Sequence, residues 1–260
     1  MVEIIDKGGQ SATHSTPLLF VHGTSHAAWC WDEHFLDYFV EQGYRAVALS
    51  LRGHGGSSSS RPLRFVSIAD YVNDVRSVAD TLTTTPVLIG HSLGGFVVQK
   101  YLESYHAPAS VLLASTPVRG IWGLLLRTLV RYPQLSLRTV LAGRIALDLR
   151  SPALAREWFF SRDLHATSVA RYAAQLQLES DRALIDALFR LPRPERVRTP
   201  VLVLGAQNDR VFTVREIRAT ARAYGVEASI IPDAAHDMML DTRWRTPAAF
   251  IVKWLGELSL

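Results

Sequence analysis

Val87-Leu88-Ile89-Gly90-His91-Ser92-Leu93-Gly94-Gly95 is the stretch whose reading decides the fold. Three apolar residues introduced by Pro86 read as a short buried strand, and the chain then passes through Gly-x-Ser-x-Gly. After Ser92 the apolar positions Leu93, Phe96, Val97, Val98, Tyr101 and Leu102 recur at helical spacing. A strand that enters a helix through a serine flanked by glycines predicts a strained turn, with the hydroxyl pushed out at the carboxyl end of a sheet. Ser92 is therefore a candidate nucleophile. The helix start also places free N–H groups and partial positive charge beside it.

A serine hydroxyl is a weak nucleophile without a base and a group to orient that base. Both follow downstream. Pro200-Val201-Leu202-Val203-Leu204-Gly205 reads as a buried strand leading into a polar turn that carries Asp209, and Ala228-Ser229-Ile230-Ile231 as a strand followed by the loop that carries His236. Among the nine histidines, His22, His54 and His91 lie in glycine-rich turns and are expected to bond backbone groups. His236 alone follows the last predicted strand and is the expected base. Asp233, Asp237 and Asp241 crowd it in sequence, but neighbours on one loop rarely reach the far ring nitrogen, so Asp209 is the expected acid. The strand Val111-Leu112-Leu113-Ala114 runs into Ser115-Thr116-Pro117 and offers no carboxylate in its place.

A tetrahedral oxyanion needs two N–H donors aimed at one point. Leu93, next after the nucleophile, is expected to give one. Pro17-Leu18-Leu19-Phe20-Val21-His22-Gly23-Thr24 reads as an early strand and its turn, and the backbone N–H of Thr24 is the expected second donor.

Taken together these residues resemble the α/β-hydrolase superfamily, in which the chain order is likewise Ser, Asp, His. The resemblance covers nearly the whole chain: the His22-Gly23 turn, the Leu51-Arg52-Gly53-His54-Gly55-Gly56-Ser57 turn, the elbow from Gly90 to Gly95, Asp209 and His236. It implies a mostly parallel central sheet flanked by helices, with a helical cap inserted after the sixth strand. A serine at the elbow sets aside the dehalogenase and epoxide hydrolase branches, which use aspartate there. The loop His22-Gly23-Thr24-Ser25-His26-Ala27-Ala28-Trp29-Cys30-Trp31 is similar to that of plant methylesterases and hydroxynitrile lyases. The Arg52-Gly53-His54-Gly55 turn looks like that of bacterial esterases and lysophospholipase-like hydrolases, which carries more weight for substrate class.

Strands and helices alternate up to Pro117, with helices expected from about Trp31 to Glu41 and from about Ile68 to Leu82. Alternation of this kind predicts parallel strands, right-handed crossovers and loops gathered at one sheet edge. From Val118 to Arg198 only helical spacing appears. Residues 1–116 and 199–260 are thus expected to form the core, and residues 117–198 a helical cap or lid. Its apolar residues, with Trp122, Leu125 and Phe159 as the expected substrate contacts, predict a hydrophobic wall for an acyl or alcohol group. Residues 117–198 hold 14 arginines, no lysine and 7 acidic residues, against a net charge of +4 for the whole chain.

With 260 residues, 48% of them apolar, the chain can bury one sizeable core. No secretory leader is recognised at the start, and no apolar run approaches the roughly 18 residues of a membrane span. The single cysteine, Cys30, cannot form an intrachain disulfide and is read as a packed thiol, so a cytoplasmic location is expected. No compact His/Cys/Asp spacing suggests a metal, no cofactor is expected, and the pI near 9.4 comes without a nucleic-acid-binding motif. The expected activity is serine-dependent cleavage of small-molecule carboxylic esters through an acyl-enzyme. Carbon-carbon hydrolysis, hydroxynitrile lysis and cofactor-free perhydrolysis are alternatives on the same three residues, and a non-catalytic ligand-binding protein is the other class.

Overall fold

The computed structural model describes residues 1–9, 14–144 and 147–260. Seven strands among them form one sheet: β1 (Ile4–Lys7), β2 (Leu18–Val21), β3 (Ala46–Leu49), β4 (Val87–His91), β5 (Ser110–Leu113), β6 (Val201–Ala206) and β7 (Ala228–Ile231). Their spatial order is β1-β3-β2-β4-β5-β6-β7. Only β1 runs antiparallel, against β3; the other pairings are parallel. Every residue of β2 to β6 is buried. Parallel strands covered on both faces have this continuous apolar character instead of alternation.

Helices α1 (Trp29–Asp32) and α2 (Phe35–Glu41) link β2 to β3, α3 (Ile68–Ala79) links β3 to β4, and α4 (Leu93–Leu102) links β4 to β5. Among the described residues five helices then intervene before β6: α5 (Trp122–Arg131), α6 (Pro133–Leu141), α7 (Pro152–Phe159), α8 (Ala166–Ala173) and α9 (Asp181–Phe189). The chain closes with α10 (Val214–Ala223) between β6 and β7, and α11 (Arg245–Glu257). Trp31, Phe35 and Phe39 pack their rings on Phe20, with centroids 5.1, 6.5 and 5.4 Å away. Full burial of each such side chain contributes about 1.5–3 kcal/mol.

The doubly wound α/β layout expected from the sequence is the one that forms. Three details differ. The helical insertion follows the fifth strand, not the sixth, because a single partly exposed edge strand, β1, precedes β2 among the described residues. The helix expected from Trp31 to Glu41 is two helices, since His34 leaves helical geometry at φ −148°. The helix expected from Ile68 to Leu82 ends at Ala79, while its start is set by a capping box in which Ser67 and Asp70 satisfy each other's backbone N–H.

The strand order reverses between β2 and β4, since β2 leads outward to β3 and β4 leads the other way to β5. A crevice opens at the carboxyl ends of strands flanking such a point. Val21 pairs with Gly90, so the loops that follow β2 and β4 leave the sheet at one level. Among the described residues no helix is long and apolar enough to cross a membrane.

Candidate active site

Ser92 sits between β4 and α4 with φ +50° and ψ −119°, a conformation that side chains rarely adopt. Its backbone is fixed from three sides: its N–H donates to Leu113 O at 3.1 Å, and its carbonyl accepts from Thr116 at 2.9 Å and Phe96 at 3.2 Å. The turn closes because glycines surround it. A Cβ at Gly94 would lie 2.3 Å from the carbonyl oxygens of Val21 and His22, and one at Gly23 would lie 2.8 Å from Ser92 Cβ.

The structure brings the three expected polar residues into one line. Ser92 Oγ donates to His236 Nε2 at 2.9 Å, and His236 Nδ1–H donates to Asp209 Oδ2 at 2.8 Å. Asp209 reaches from the loop after β6, and its other oxygen accepts the N–H groups of Val211 and Phe212 at 2.7 and 2.9 Å. Burial of the His236 ring opposes its charging, but the Asp209 carboxylate, with a smaller share from Asp237, outweighs this and holds its pKa above the ordinary 6.5. The arrangement can accept a proton from Ser92 and stabilise the resulting imidazolium.

Thr24 and Leu93 both border the space in front of Ser92, and neither backbone N–H is engaged by a protein acceptor among the described residues. The orientation of the Thr24 amide is held indirectly. The carbonyl of Gly23, at the opposite end of the same planar peptide, accepts from His22 Nδ1–H at 2.8 Å and from the His26 N–H at 3.3 Å. His22 Nε2 accepts from the Leu51 N–H at 2.9 Å, which fixes the tautomer. Burial first, and the nearby His54 second, push its pKa well below the ordinary value, so the ring is neutral.

A cavity of about 360 Å³ extends from Ser92, His236 and Thr24 toward the helical insertion. Leu125 and Phe159 are in its wall, with Leu124, Trp158, Leu184 and Leu188. Trp122, the third expected contact, is not. It shares a helix stripe with Leu125 but sits at the first turn of α5, where its indole N–H takes the carbonyl of Leu188 at 2.9 Å and its ring meets Phe189 edge-on. A half-buried indole N–H seeks an acceptor, and the Leu188 carbonyl supplies it without bringing the ring into the cavity wall.

The profile of the Alpha/beta hydrolase family matches residues 18–251. The chain belongs to that family. It is 33% identical over 113 residues to a non-heme chloroperoxidase of Burkholderia pyrrocinia, a stretch that takes in 43% of this chain and 40% of that one. A probable esterase of Oryza sativa subsp. indica, PIR7A, is 31% identical over 110 residues, 39% of this chain and 40% of that one. These matches span about two fifths of the relatives' lengths. Among solved structures, a putative non-heme bromoperoxidase, BpoC, from Mycobacterium tuberculosis H37Rv aligns with a TM-score of 0.79 at 19% identity, covering 99% of this chain and 96% of that one.

This alpha/beta hydrolase buries further charge behind the serine. Asp237 is fully buried, with His26 Nε2 3.0 Å from Oδ2 and His91 Nε2 3.6 Å from Oδ1. Burial opposes its charge, but the surrounding His26, His91 and His236 hold its carboxyl below the usual range. His91 donates from Nε2 to the His236 carbonyl at 3.1 Å, and burial with the nearby His236 lowers its pKa to about 3. His22 and His91 thus bond backbone groups as expected from their turns; His54 makes no hydrogen bond through either ring nitrogen among the described residues, its Nε2 lying 3.6 Å from Glu179 Oε2. Ligand atoms of His91, His236 and Asp237 lie within 4.8 Å of one another, but both ring nitrogens of His236 are committed to Ser92 and Asp209.

The helical insertion is also tied to the loop that carries Thr24. Buried Glu179, between α8 and α9, accepts from Tyr71 Oη at 2.7 Å and from the Ser180 N–H at 2.6 Å through Oε1. Its Oε2 accepts the N–H of Ser25 at 3.3 Å, and Ser25 itself sits at φ +67°. Sequence reading passes over Glu179 and weighs Asp237 only as an acid for His236, because no local spacing announces a contact made across 154 residues, such as that from Glu179 to Ser25.

Proposed function

We propose that this protein cleaves carboxylic esters through an acyl-enzyme, with Ser92 as nucleophile, His236 as general base and Asp209 as its orienting acid. The observation that carries the reading is the continuous hydrogen-bonded line from Ser92 Oγ through His236 to Asp209 at the floor of an apolar cavity. His236 takes the serine proton as Oγ attacks the carbonyl, and Asp209 stabilises the imidazolium. The N–H groups of Thr24 and Leu93 receive the oxyanion. His236 next protonates the departing alcohol and then draws a proton from the water that releases the acid.

In this reading residues 117–198 act as a cap over a core of residues 1–116 and 199–260, and Leu125 and Phe159 contact an apolar acyl or alcohol part. The buried, unpaired Cys30 supports a cytoplasmic setting. A second reading, cofactor-free perhydrolysis, is favoured by the likeness to the chloroperoxidase. There hydrogen peroxide replaces water at the same acyl-enzyme and a peracid leaves.

Ser92→Ala is expected to abolish turnover of p-nitrophenyl acetate and butyrate without altering the circular dichroism spectrum. Wild-type turnover in that variant would refute both readings. Peracid formation from acetate and peroxide, measured beside ester hydrolysis, ranks the two.

A further inference from the structure

We propose that the outward face of α5 and α6 is a docking surface for an anionic lipid bilayer, from which the cavity is filled. On α5, Trp122, Leu125, Leu126, Leu129 and Val130 recur at the spacing of one helix stripe, and α6 continues it with Leu137, Val140 and Leu141. An amphipathic helix of a globular protein turns such a stripe to the core. Here it faces outward, with exposures between 42% and 77%. A contiguous apolar patch of this kind marks an interaction surface.

The patch is continuous with the cavity, since Leu125, Leu129 and Val140 are both exposed and part of its wall. It is the rim of the entrance. A folded partner seated there would close the entrance, whereas a bilayer would present amphiphilic substrate to it.

Charge selects the same occupant. Residues 117–147 contain five arginines and no aspartate, glutamate or lysine. Arg138, beside Leu137 and Leu141 of the stripe on α6, is exposed with no ion-pair partner among the described residues, while Arg131 at the end of α5 is turned to Glu157 and Tyr132. A two-fold dimer through the patch would oppose like charges with no carboxylate on either helix to meet them. Anionic headgroups meet them, while the apolar stripe enters the headgroup boundary. With α5 and α6 ten and nine residues long, the helices lie on the surface and do not span it.

Docking does not depend on the reaction at Ser92, so the two fail separately. The test is flotation of the full chain, as wild type and as Ser92→Ala, with vesicles of phosphatidylcholine containing phosphatidylglycerol at three parts in ten. Both proteins are expected to float to the same extent. The triple variant Leu126→Glu/Val130→Glu/Leu137→Glu, whose positions lie outside the cavity wall, is expected to lose at least about tenfold in partition. Arg138→Glu is expected to lose about fivefold on the charged vesicles and little on pure phosphatidylcholine. Brominated lipids are expected to quench wild-type fluorescence, and Trp122→Phe to remove that quenching, which gives a reading free of the triple variant's folding. No flotation of wild type, undiminished flotation of a folded triple variant, or a wild-type dimer that the triple variant dissolves would each overturn the proposal.

Discussion

The Asp237 carboxylate lies 3.0 Å from His26 Nε2 and makes no hydrogen bond to the ring of His236, its neighbour in the chain. Asp209, 27 positions earlier, takes that ring instead. Two carboxylates therefore act on one histidine by different means, and mutation separates them. Asp209→Asn removes the partner that fixes the tautomer and is expected to lower kcat by about 10⁴-fold. Asp237→Asn acts only through the field and is expected to keep kcat within about tenfold. Equal losses in steady-state kinetics would contradict the division.

The pH profile follows from the same ring. Protonated His236 cannot accept the serine proton, and its pKa is raised above the ordinary 6.5 by Asp209. Activity is thus lost as pH falls through a value above 6.5, and the acid limb of kcat/KM is expected to have its midpoint there. In Asp209→Asn that limb moves to lower pH, because the charge favouring the imidazolium is gone. A wild-type midpoint at or below 6.5 is the result that would not fit.

Gly94→Ala tests the close approach of α4 to β2. The added methyl would meet two backbone oxygens at 2.3 Å, which cannot move without shifting the sheet. Chemical denaturation is expected to show a loss of about 3 kcal/mol or more, at the upper end of overpacking. Gly256→Ala, in α11 with nothing within 4 Å of the added carbon, is expected to gain about 0.4–1 kcal/mol.

Leu124→Trp narrows the cavity without touching the three polar residues. The ratio of kcat/KM for p-nitrophenyl octanoate to that for the acetate is expected to fall at least about tenfold. An unchanged ratio would mean that acyl chains take another path.

What the sequence announces is what depends on local period and turn chemistry. The elbow is legible because glycine at 90 and 94 and a serine between them fit one backbone, and Asp209 and His236 because each follows an apolar run. β1 is not, since its four residues alternate in exposure at the sheet edge and its partner, β3, lies 39 residues on. The break between α1 and α2 carries no glycine or proline to mark it. Trp122 has the right residue type and stripe, and only the position of the Leu188 carbonyl decides where its ring goes. The clamps on His22, Asp237 and Glu179 are contacts between distant segments, and such contacts leave no trace in spacing.

The Glu179 carboxylate makes the helical insertion a poor candidate for exchange as a module. Its hydrogen bond to Ser25 reaches the residue after Thr24, and Ser25 holds a backbone conformation that is costly outside glycine. A chimera that imports residues 117–198 from another family member to change substrate range would import or lose that brace with them. Donor segments with an acid able to reach Ser25 and Tyr71 are the ones expected to graft with activity intact, and a Ser25→Gly host is the background in which the others can be rescued.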